Sequence, residues 1–203
     1  MNTPAFFDEI PAIRVYDPLA AFLGAPKDGA IEYRYADAVK LAGHSCPTVA
    51  SAYWMTRLAL KALCGDDLPT RGGIRVEFPA DRHEGTTGVM ANVVQMLTGA
   101  AGDDGFKGLA GIFFRNGLMS FGASGDYMIR FIQRDDLKRV DVSVALSRIP
   151  MTRELNQLLQ RCISSVATAE ENLRFGELWQ DRVRRLILDY GKDPEVFKVV
   201  QGR

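Results

Sequence analysis

The chain is predicted to fold as an α+β protein, a mostly antiparallel sheet with packed helices and a helical C-terminal segment. Three observations predict it. Apolar residues recur at helical spacing from Val49 to Leu63, bounded by Pro47 and Gly65. Short runs such as Ile74-Arg75-Val76-Glu77-Phe78 alternate apolar and charged side chains, the pattern of a half-buried strand. The hairpin signal at Asn116-Gly117 and the strand-like runs around it add a largely antiparallel sheet among the helices.

Taken in order, the first thirty residues read as irregular, broken by Pro4, Pro11, Pro18 and Pro26, with a helix from Pro18 to Leu23 ended by Gly24. A short helix over Tyr35–Leu41 leads to Ala42-Gly43, and Pro47 suits the first turn of the next helix, where its missing N–H costs nothing. Pro79 closes the strand beginning at Gly73. A polar loop, Asp81–Gly85, precedes a helix over Thr86–Leu97. Asn116-Gly117 between two apolar runs predicts a hairpin joining Ile112–Arg115 to Leu118–Phe121. Two more strands are expected over Tyr127–Gln133 and Val140–Leu146. From Met151 the pattern is helical, with an apolar stripe of Leu155, Leu158, Leu159, Cys162 and Val166, then a terminal helix carrying Leu178, Val183, Leu186, Ile187 and Tyr190. The expected organisation is one domain over 1–203, with an α+β core at 35–150 and a C-terminal helical segment at 151–203.

Composition excludes several function classes. The 203 residues are 47% hydrophobic and 25% charged, and 25 Lys plus Arg balance 25 Asp plus Glu. Such a chain offers no global field for nucleic acid or an anionic membrane. No run approaches the roughly 18 apolar residues of a membrane span, and the N-terminus lacks the basic and apolar regions of a signal peptide. Three unevenly spaced cysteines, Cys46, Cys64 and Cys162, make no disulfide framework. The expectation is a cytoplasmic protein without nucleic-acid or membrane partners.

Chemistry concentrates in His44-Ser45-Cys46-Pro47, which holds one of two histidines and one of three cysteines. Two residues apart in a turn, an imidazole nitrogen and a thiolate can reach one ion, and both suit zinc and neighbouring transition metals. Two ligands leave a site open. His83, in Asp81-Arg82-His83-Glu84-Gly85, is a candidate third ligand, and Asp37 is a candidate carboxylate to hold the His44 imidazole or join the metal. The bland alternative is a buried Cys46 packing the helix start with His44 capping a nearby carbonyl, an exposed Asp37 and a solvated His83 loop. Two further chemistries stay open. Cys46 can act as a catalytic nucleophile, since a helix N-terminus and a neighbouring imidazole favour the thiolate. Alternatively Cys46-Pro47 can ligate heme, with His44 or His83 as the other axial ligand. Cys64 and Cys162 read as structural, Trp54 and Trp179 as core or interface aromatics, and Arg115 as hairpin geometry or a weak anion contact. The glycines at 99, 102, 105 and 108 lack the lysine and hydroxyl spacing of a P-loop.

Gly43-His44-Ser45-Cys46-Pro47, opening a helix, resembles the Gly-His-x-Cys-Pro motif of the formylmethanofuran dehydrogenase E-subunit family. Asn92–Gly99, ending Leu-Thr-Gly, with Gly105-Phe106-Lys107-Gly108 after it, is similar to a second stretch of that family. Together they span residues 35 to 122. The resemblance implies a metal-binding α+β domain, often a homodimer, with His44 and Cys46 carrying the metal. It departs from the family at Thr48, where glycine is usual, in the absence of a cysteine over Thr86–Val89, and in the missing C-terminal zinc ribbon. The expected function is an open His/Cys metal site, zinc or another transition metal, that binds or transforms a small molecule. Whether the chain is a metal-dependent enzyme or an oxidoreductase-associated component stays open. The shortage of ligands in one chain also suggests a homodimer, with the 116–117 hairpin and C-terminal helices as its interface.

Overall fold

A computed structural model describes residues 3–202. Its centre is a five-stranded sheet in the order β4-β3-β5-β6-β7, formed by β3 (Ile74–Phe78), β4 (Met119–Phe121), β5 (Ile129–Gln133), β6 (Arg139–Val144) and β7 (Phe197–Gly202). All neighbours are antiparallel except β3 and β4. Strand alternation builds one buried face. Val76, Phe131 and Val140 form a row across β3, β5 and β6, and Ile129 lies opposite Val142. The other face carries Glu77, Arg130 and Asp141 in register, and Arg130 forks onto both Asp141 oxygens at 2.6 and 2.8 Å.

The long central helix α3 (Pro47–Cys64) packs on β6 and β7 and against α4 (Thr87–Thr98). Twelve of its eighteen residues are buried, so it is core on most sides and not a surface amphipath. Pro47 occupies its first turn and Gly65 caps its end, as the sequence predicts. Before it, α2 (Tyr35–Ala42) ends at Gly43, whose φ of 78° supplies the left-handed turn that redirects the chain into the motif. Helices α5 (Arg153–Ile163) and α6 (Ala169–Arg184) form a hairpin, and α6 runs into a π-helical turn at Arg185–Asp189 packed on α3.

Three expectations are corrected. The N-terminal region is not irregular: β1 (Ile13–Tyr16) and β2 (Ala30–Tyr33) pair antiparallel, with α1 (Pro18–Leu23) between them. Tyr53 of α3 anchors this pair, its hydroxyl 3.0 Å from the carbonyls of both Pro11 and Tyr33. The Asn116-Gly117 turn exists, but no hairpin is built on it. Residues 112–115 are not a strand, and β4 joins β3 in parallel after the Leu118 carbonyl accepts from the Val76 N–H. Buried interactions of Arg115 pull that arm away from the sheet, as described below. Finally, the C-terminal segment is not helical throughout, because β7 adds to β6 as an edge strand with Val199 and Val200 exposed.

Candidate functional site

The motif segment bridges α2 and α3. Cys46 is the N-cap of α3, extended at φ −149° and ψ 167°, with its thiol making no capping hydrogen bond. The Cys46 carbonyl already accepts from the Ala50 N–H, so the backbone is committed to the helix while the side chain is free. Cys46 is only 9% exposed and belongs to the core cluster, whereas His44 is exposed. The pair therefore straddles the boundary between core and solvent.

Ring orientation decides what His44 can offer. Its Nδ1 lies 3.0 Å from the Ala42 carbonyl, which only accepts, so Nδ1 carries the proton. That tautomer leaves the Nε2 lone pair unused. Metal-binding histidines commonly hold their other ring N–H against a backbone carbonyl in this way, which fixes both tautomer and ring direction. Nε2 and the uncapped Cys46 sulfur, one borderline and one soft, are of the donor types that could hold zinc or a similar ion. The first turn of α3 adds backbone N–H groups that favour negative charge nearby.

Ser45, between them, is held from both sides. Its hydroxyl lies 2.9 Å from the Tyr35 hydroxyl, and its carbonyl accepts from Trp179 Nε1 at 3.1 Å and Gln180 Nε2 at 3.2 Å. Burial pushes the Tyr35 phenol up, so it stays protonated and able to donate. Phe175 supports the Trp179 ring, with centroids 5.6 Å apart.

The other candidates are not gathered here. Asp37 does not touch the His44 ring: its carboxylate accepts from the Arg34 N–H at 2.9 Å and from Lys40 at 3.1 Å, closing the first turn of α2. This corrects its expected role, because the residue that orients the imidazole is Ala42, through its carbonyl. His83 is exposed in its polar loop, where its backbone N–H donates to Asp81. Among the described residues no three His, Cys, Asp or Glu side chains come together in a group able to hold a metal. Cys64 is half-buried, and burial together with Asp67 and Asp136 pushes its thiol up. Pro47, the second half of the heme-like dipeptide, is explained by its place in the first turn of α3.

Sequence reasoning missed two groups. Trp179 and Gln180 lie 134 and 135 residues from the carbonyl they bind, and only the fold reveals that. The second group is a buried ionic clasp. Asp17 N-caps α1 and pairs with Arg71 at 2.6 Å and Arg115 at 2.8 Å, while Arg115 also donates to the Arg71 carbonyl and Arg71 to that of Met96. Arg115 is thus a structural tie whose anionic partner is the Asp17 carboxylate.

An α+β protein with an imidazole and a thiol at one helix start is the class that fold and site define. The chain belongs to the FmdE family: the model of that family, described as "FmdE, Molybdenum formylmethanofuran dehydrogenase operon", matches residues 41–190. The match takes in the motif, the sheet except β7, and both C-terminal helices. Among curated proteins none matches. No helix among the described residues is long and apolar enough to cross a membrane.

Proposed function

We propose that this FmdE-family chain binds zinc or another transition metal through His44 Nε2 and Cys46 Sγ, leaving open positions for a small-molecule ligand. The observation that carries the reading is the 3.0 Å contact of His44 Nδ1 with the Ala42 carbonyl, which assigns the proton to Nδ1 and leaves Nε2 free, two residues from an uncapped thiol.

An ion held there supplies Lewis acidity toward a carbonyl or a bound water. The chain's own residues do the positioning. Ala42 fixes the ring, α3 fixes the sulfur, and the core behind Cys46 shields one side so that a ligand approaches from the solvent side of His44. With two donors per chain, the remaining positions fall to water, to the ligand, or to a second copy of the chain in a homodimer.

Metal analysis of the purified protein tests this. Near-stoichiometric zinc or a neighbouring ion is expected in the wild type and is lost in both His44→Ala and Cys46→Ser. Unchanged metal in the two variants overturns the assignment.

A further inference from the structure

We infer that Trp179 and Gln180 are positioning residues: from α6 they fix the Ser45 carbonyl and thereby set the separation of His44 and Cys46. The inference rests on the metal reading for its purpose, but its geometry is independent of it.

In a peptide, the relative placement of side chains i and i+2 is governed largely by the backbone of residue i+1. Here that residue is Ser45. Cys46 is locked by its N-cap role and by Pro47, and His44 by Gly43 and the Ala42 carbonyl, so the freedom left between them lies in the Ser45 peptide groups. A carbonyl has two lone pairs, and Trp179 and Gln180 fill both. Because that oxygen only accepts, the Gln180 amide must present nitrogen to it.

The other half of the amide shows what the residue is not for. Gln180 Oε1 is buried without a hydrogen-bond partner among the described residues. A buried acceptor without a donor costs stability, and methionine fills a similar volume without that cost. What glutamine supplies and methionine does not is the second donor on Ser45. The element carrying both donors is itself well anchored. Arg182 donates to the Ile149 carbonyl at 2.9 Å, and beyond the π-turn the buried Trp54 Nε1 donates to the Gly191 carbonyl at 2.7 Å, tying the end of α6 to α3.

The experiment compares wild type, Gln180→Met, Trp179→Phe and the double variant, with two readouts. The first is metal-free: alkylation of each cysteine followed by peptide mass spectrometry. Cys46 is expected to react about tenfold faster in the double variant, as two lost hydrogen bonds of ordinary strength allow, while Cys64 and Cys162 keep their rates. The second is zinc affinity by chelator competition, expected to fall by about tenfold in the double variant, as the same lost hydrogen bonds no longer hold the two donors in place. The unfolding midpoint of Gln180→Met is expected to be unchanged or raised.

An unchanged Cys46 rate, or equal acceleration of all three thiols, overturns the inference, the latter by showing general loosening. A variant that accelerates Cys46 alone, in a protein whose wild type takes up no zinc, upholds the positioning and removes the metal reading. The two failures are thus separable.

Discussion

At the residue scale, the most consequential charges are the three of the Asp17–Arg71–Arg115 clasp. Burial alone pushes the Asp17 carboxyl up, but Arg115, the Ala20 N–H and Arg71 outweigh it and hold the group below the usual carboxylate range. A folded-state pKa below the unfolded one contributes stability that is fully present above the unfolded value of about 3.9 and is lost as pH falls through the folded value. Acid unfolding of Asp17→Asn is accordingly expected to be less steep below about pH 4 than that of wild type, as followed by circular dichroism. Removing Arg115 leaves the buried carboxylate with Arg71 alone. Arg115→Ala is expected to cost about 3 kcal/mol in a denaturant titration, the low end for a broken buried pair because Arg71 remains. None of this is legible in the sequence, since Asp17 and Arg115 are 98 residues apart. His44 and Cys46 are legible, because their chemistry lies in their types and spacing.

At the element scale, legibility follows how local the cause is. Helix α3 can be read because periodicity, Pro47 and Gly65 all sit within or beside it. The hairpin at Asn116-Gly117 fails for the opposite reason. The dipeptide specifies a turn, and Gly117 takes a positive φ as expected, but the partner of the following strand is β3, far upstream: Val76 opposes Met119 and Phe78 opposes Phe121. Strands β1 and β7 escape sequence reading because each draws its stability from a partner that no local pattern reveals. The π-turn after α6 offers a sharper test of packing. A Cβ on Gly191 would overlap the Ile187 carbonyl oxygen and lie 2.7 Å from the Trp54 ring. Gly191→Ala is expected to destabilise by about 1–3 kcal/mol, read as a lowered thermal midpoint, and to weaken the anchor of α6 below the motif.

At the scale of the whole molecule, the sheet buries one face beneath α3, the N-terminal pair β1–β2 is tied on by Tyr53 and the clasp, and the α5–α6 hairpin reaches back to the motif. The candidate site lies where three helices converge, with its thiol in the core margin and its imidazole in solvent. On the proposed ligation, two donors per chain would leave others to a second copy, and sedimentation equilibrium at micromolar concentration is expected to show a dimer whose dissociation is promoted by a chelator. A monomer with full metal content would assign the open positions to water and ligand alone. The central claim is ligation by His44 and Cys46, and X-ray absorption at the edge of the bound metal tests it most directly. The zinc-loaded protein is predicted to show sulfur at about 2.3 Å and imidazole nitrogen at about 2.0–2.1 Å; coordination by oxygen and nitrogen without sulfur would contradict it.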